Sequence, residues 1–185
     1  MILAFVWLSV LTIFFWKTIV PREPALQVSV LSTGVSGDME KAFVLLPGMT
    51  RDDVIREVGI LDFKTRPGLR TGETWAYSSS DGENIYLNFD SDDRLVMITD
   101  GLATEAQKDL KAVRRPLLCR LKLTWLTEKD VTLDWAQRIG ATVSPTQGVD
   151  ANMVRMNCGA IELNLAFSSE GKLISFQLVD PTWLN

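Results

Sequence analysis

Apolar and polar positions divide the chain into an unbroken apolar run, a short irregular stretch, and a body in which helical and strand periods alternate. The run is MILAFVWLSVLTIFFWKTIV, residues 1–20. Sixteen of its twenty residues are apolar, and only Ser9 and Thr12 interrupt the first sixteen. At about 1.5 Å per residue, a helix of about 20 residues spans roughly the 30 Å of a hydrocarbon core. The run therefore predicts a transmembrane anchor over 1–20. Trp16 and Lys17 suit an interface near its end, and Pro21 and Pro24 stop the helix. No Lys or Arg precedes the run, and the nearest small-residue cleavage position, after Ala25, has Glu23 at its −3 site. The segment thus reads as uncleaved. Residues 21–37 carry two prolines and no period, the signature of a linker.

In the body, Thr50-Arg-Asp-Asp53 and Thr127-Glu-Lys-Asp130 have the form of capping boxes. The Thr hydroxyl accepts from an amide of the first turn, and the acid three residues on sits at the positive end of the helix dipole. Val54, Ile55 and Val58 recur at helical spacing before Gly59. Val131, Leu133, Trp135 and Ile139 precede Gly140, giving a second helix about one turn longer. Strand alternation follows at 85–89, where Ile85, Leu87 and Phe89 share one face and Tyr86 and Asn88 the other. Asp90 to Asp93 turn the chain, and residues 95–99 return. The same pattern recurs with Leu163, Leu165 and Phe167, a turn at 168–171, and a return over 173–179. Strands are expected before each hairpin, at 73–78 and 153–157. Shorter helices are expected over 38–44 and 104–113. Pro116 marks a break, and 117–123 fits either helix or strand.

The two blocks match each other. MTRDDV at 49–54 and LNFDSDDRLVMI at 87–98 answer LTEKDV at 126–131 and LAFSSEGKLISF at 165–176. The helix starts lie 77 residues apart and the hairpins 78. Two separated blocks with nearly equal offsets read as a tandem duplication, with a first module over 38–101 and a second over 102–185. The expected fold class is α+β: a transmembrane helix followed by two modules, each with one or more helices packed on a three-stranded antiparallel sheet.

Composition narrows the chemistry. Nineteen Lys and Arg against 23 Asp and Glu give a net charge of −4, without the basic footprint of a nucleic-acid binder. With no histidine there is no imidazole base and no imidazole metal ligand. No nucleotide-binding or serine-hydrolase motif occurs. The cluster Asp90, Asp92, Asp93 reads as a solvated hairpin turn rather than a calcium or acid–base site. The expectation is no catalysis, no cofactor and no metal. Cys119 and Cys158 form either one disulfide or two buried thiols.

The run PGMTRDDVIREVGI, then Trp75 and Tyr77 in a W-x-Y strand, then LNFDSDDRLV, resembles the SmpA/OmlA (BamE) family of bacterial envelope proteins. The second copy lacks the Gly-Met start and carries Val154-Arg-Met156 in place of W-x-Y. Two such modules in tandem are also similar in architecture to beta-lactamase-inhibitory protein. The resemblance implies helices packed on three-stranded sheets, and an exported module that binds other proteins. It places the body in the periplasm, anchored in the inner membrane through residues 1–20. The positive-inside rule, read from Lys17 and Arg22, points the other way. The partner expected is another protein, either an envelope component or an effector that the chain inhibits. The alternative is a lipid or small ligand, held in an apolar cleft.

An interaction surface is expected from Trp75, Tyr77, Tyr86 and Asn88. Trp75 and Tyr77 share one side of a strand, where they either cover a helix or stand as aromatic anchors. Tyr86 and Asn88 face the other side.

Overall fold

The computed structural model describes residues 37–59, 62–68, 72–108, 114–144 and 152–184, all within one compact unit, Thr33–Asn185. The anchor expected over 1–20 and the linker up to residue 36 lie outside the described residues, and Gly37 already belongs to the first described helix. Among the described residues no helix is long and apolar enough to cross a membrane. The transmembrane helix and the inner-membrane, periplasmic placement drawn from the sequence find no support among the described residues and are not carried further.

The elements run α1 (Gly37–Ala42), α2 (Arg51–Val58), β1 (Lys64–Pro67), β2 (Glu73–Ser78), β3 (Glu83–Phe89), β4 (Leu95–Leu102), α3 (Thr104–Lys108), α4 (Lys129–Arg138), β5 (Thr142–Val143), β6 (Met153–Cys158), β7 (Ile161–Phe167), β8 (Leu173–Val179) and α5 (Pro181–Leu184). The eight strands among the described residues join one antiparallel sheet in the order β1-β2-β3-β4-β8-β7-β6-β5. This corrects the expected pair of three-stranded modules. The molecule is mostly one sheet with a few short helices.

The physical reason lies at the seam. A three-stranded half ending in β4 or β8 leaves a row of backbone donors and acceptors on its outer edge. The two edges satisfy each other, pairing Met97 with Val179 through to Gly101 with Ser175. Alternation tells which face a side chain takes, not which strand lies beside it, so the seam is invisible in the sequence. The edge strands β1 and β5 were missed as well, because KTRP and TV carry no alternating apolar pattern.

The two halves correspond at a constant offset of 78. The β3–β4 register slips between Asn88 and Phe89, and the β7–β8 register slips between Ala166 and Phe167. Asp93 and Gly171 take the left-handed turn positions at φ 58° and 74°. The helix starts obey the same offset, not 77: the bridges Thr50–Arg94 and Glu128–Lys172 are equivalent. Thr50 completes a capping box with Asp53. Glu128, not Thr127, is the N-cap of α4, and it has no side-chain cap bond. Thr127 instead donates its hydroxyl to Thr124 O at 2.7 Å, so its expected capping box is not formed. Gly48 at φ 96° and Leu126 at φ 62° bend the chain into the two helices at equivalent points.

The core lies between one face of the sheet and the helices. Ile85, Leu87, Ile98, Leu163, Leu165, Phe176 and Leu178 are buried there with Val54 of α2 and Trp135 of α4. Phe43 packs edge-on to Trp135 and against Phe176. Residues 117–123 are neither helix nor strand. Cys119 bridges to Phe43, and Val44 N–H donates to Leu118 O at 2.9 Å. This connection closes the core across both halves. Cys119 and Cys158 are both buried free thiols, and burial pushes each up to about 11.

Candidate functional site

The site is built at the β1 end of the sheet. On β2, Trp75 and Tyr77 turn toward the helical face, opposite Leu87 and Ile85 of β3. Neither ring is fully covered. Trp75 packs against Phe89 at 4.8 Å and Phe63 at 5.5 Å between centroids, and Phe63 also meets Tyr77 edge-on at 5.9 Å. Phe63 lies four residues beyond Gly59, the residue that ends α2 at φ 72°.

Arg51, in the first turn of α2, lays its guanidinium over Trp75 at 5.6 Å and over Phe89 at 5.0 Å. It also pairs with Glu73 of β2, and with Asp93 of the hairpin turn at 2.9 Å. The guanidinium is thus held by two carboxylates and two rings. Between α2 and β1–β2 these side chains leave a groove of about 380 Å³, lined by Arg51, Ile55, Gly59, Phe63, Thr65, Glu73 and Trp75. Ile55, on the outward side of α2, is 41% exposed. The floor is aromatic, one wall carries a fixed ion pair, and the mouth is open.

The structure separates the four surface residues predicted from sequence. Trp75 lines the groove and Tyr77 supports its floor through Phe63. Tyr86 and Asn88 lie on the opposite face of the sheet, with Tyr86 exposed and Asn88 buried, accepting from the Thr74 hydroxyl at 2.7 Å. Sequence reasoning missed Arg51, Ile55, Phe63, Thr65 and Glu73. Only Phe63 carried a signal, as an isolated aromatic beyond the helix-ending Gly59. In the second half Lys129 reproduces the cation over a ring, 5.4 Å from Phe167, but Val154 stands opposite Leu165 where Trp75 stands opposite Leu87. The aromatic floor therefore belongs to the first half.

The acidic turn uses its own carboxylates. Asp90 accepts from the amides of Asp92 and Arg94, both at 2.9 Å, as Ser168 does in the equivalent turn for Glu170 and Lys172. That is turn chemistry.

A second polar cluster lies under the connection between the halves. Asp100 on β4 is fully buried; it accepts from Leu118 N–H at 3.1 Å, and its other oxygen has no partner. Burial pushes its carboxyl up to about 7, against the Leu118 bond and with a contribution from nearby Glu83. Glu83, also raised by burial, accepts the indole N–H of buried Trp125. The equivalent positions in the second half are Ile161 and Leu178.

No family model and no curated protein matches the chain. Among solved structures, similarity is found to an extracellular protein containing an SCP domain from Bacillus anthracis, with TM-score 0.51 and 11% identity. The match covers 86% of this chain and 50% of that one. A cysteine-rich secretory protein from Staphylococcus aureus gives 0.44 at 8% identity, covering 74% and 45%. A DUF4309 family protein from Bacillus subtilis gives 0.41 at 14% identity, covering 74% and 82%. The chain spans about half the length of the first two. At such identities the first similarity speaks to the fold alone. No finding supports the SmpA/OmlA resemblance, and nothing in the comparisons bears on an immunity role. Those two readings from the motifs are set aside with the membrane placement.

Proposed function

We propose that the chain is a non-catalytic protein-binding module whose aromatic groove takes an apolar side chain of a partner protein. The observation that supports this is the groove itself. Trp75 and Phe63 are held half-buried with no described side chain filling the space beside them, while Arg51 is fixed by Glu73 and Asp93. Rigid aromatic side chains flanked by an anchored arginine are the residue types that dominate binding energy at protein interfaces. The volume also falls within the roughly 300–1,000 Å³ range of small-ligand pockets, which supports a lipid or small ligand as the second reading.

A photo-crosslinking residue at Ile55, in the full chain within the cells that make it, separates the two. The expected result is one dominant protein adduct, lost in Trp75→Ala and absent when the crosslinker sits at Val131, an exposed position on α4. An adduct of small mass would favour the ligand. The same adducts from both positions, or none from Ile55, would overturn the groove as a binding site.

A further inference from the structure

Resting on the protein-binding reading, we infer that β1 is a docking edge for an extended partner segment in which apolar and acidic residues alternate. β1 ends the strand order, so among the described residues one of its sides carries no strand. Its register with β2 decides which backbone groups face that side. Gly68 N–H donates to Gly72 O at 2.9 Å. The pairs Arg66–Thr74 and Lys64–Ala76 continue in step with it. Lys64 and Arg66 therefore exchange bonds with β2, while Thr65 and Pro67 turn their backbone groups outward. Pro67 has no N–H, so within β1 the outward donor is Thr65, with the Thr65 and Pro67 carbonyls as acceptors.

The side chains divide in the same way. Thr65 lines the groove beside Phe63 and Trp75, and Lys64 and Arg66 project to the other face. All four residues of β1 are exposed. Among the described residues neither Lys64 nor Arg66 has an ion-pair partner. Two cations with no ion-pair partner among the described residues, on the edge of a chain with net charge −4, disfavour a second copy of β1, which would bring like charges opposite each other. They favour a strand with Asp or Glu at those places. Such a strand gains main-chain bonds at Thr65, sets an apolar side chain in the groove, and places its acids against Lys64 and Arg66.

The test uses the full chain and three fluorescent octapeptides. One alternates Glu with Leu and Phe, one has Lys for every Glu, and one is the acidic peptide N-methylated at alternate residues. Fluorescence anisotropy is expected to show the acidic peptide binding at least tenfold more tightly than either of the others. Hydrogen exchange is expected to slow at the Thr65 amide, and the Lys64→Glu, Arg66→Glu double variant should reverse the charge preference. Equal binding of acidic and basic peptides, no loss on N-methylation, or no binding at all would overturn edge docking. The groove reading then stands or falls separately, on the Trp75-dependent crosslink from Ile55.

Discussion

Asp100 makes the stability of this protein depend on pH in a window where little else titrates. Its carboxyl is fully buried and lifted from 3.8 to about 7, mainly by desolvation. The sign follows from proton counting. Between about pH 4 and 7 the folded state holds a proton that the unfolded state has released, so stability falls as pH rises through that window and levels off above it. A lift of about three pKa units corresponds to about 4 kcal/mol across the window. The chain has no histidine, and both thiols are lifted to about 11. Among the described residues the carboxyls raised by burial are those of Asp100 and Glu83, and these are expected to produce the slope between pH 5 and 7.

Asp100→Asn keeps an oxygen for the Leu118 amide and removes the charge. It leaves a buried amide N–H₂ unpaired at about 1–3 kcal/mol. At pH 8 the variant is expected to be more stable than the parent by about 1–3 kcal/mol, and at pH 5 less stable. Urea unfolding followed by circular dichroism at half-unit pH steps measures both. Glu83→Gln, read in parallel, apportions any remaining slope, since Glu83 is raised in the same direction. A parent whose stability is flat or rising from pH 5 to 7, or an Asp100→Asn variant that keeps the parent's slope, would refute the reasoning.

Two further outcomes are expected. Thr50→Ala should cost about 1 kcal/mol by removing the capping box of α2. Thr127→Ala should cost no cap, because Glu128 occupies that position in α4; equal helix-specific losses in thermal melts would contradict the 78-residue alignment. Cys119 and Cys158 should resist alkylation in the native protein at pH 8 and react on unfolding, since both are buried and their thiols are pushed up to about 11. Stoichiometric labelling within minutes by mass spectrometry would show that the core around them opens readily.

The internal strands were legible because one face of each is apolar. Ile85, Leu87 and Phe89, and their counterparts Leu163, Leu165 and Phe167, wrote a period of two that nothing else explains. The helix ahead of each hairpin was legible in position, but its cap was legible only once. Thr-x-x-Asp occurs in both copies, and what decides its use is where the chain bends: at Gly48 in one half and, against steric preference, at Leu126 in the other. The groove was half legible. Trp75 announced itself by type, whereas Arg51 and Glu73 are ordinary charges until folding sets them together. Asp100 was not legible at all. It occupies the place that Leu178 fills in the second half, and an acid there defies the pattern that identifies the core.

The seam between β4 and β8 has a thermodynamic consequence that two separate modules would not have. Met97 through Gly101 pair with Ser175 through Val179, and Thr99 faces Gln177, its own counterpart in the repeat. The core crosses the same line, with Phe43 between Trp135 and Phe176, and Trp125 stacked on Phe176 while its indole N–H reaches Glu83. Separating the halves would expose these rings and unpair both strand edges, so neither half retains a closed core alone. Unfolding should therefore be one transition. Leu165→Ala, which hollows the second half at a fully buried site, should cost about 2–5 kcal/mol and lower the protection of β3 amides as much as that of β7 amides. Hydrogen exchange resolved by peptide, under rising urea, reads the two halves independently. If β3 keeps its parental protection while β7 loses its own, the halves are separate folding units and the continuous sheet is not a cooperative one.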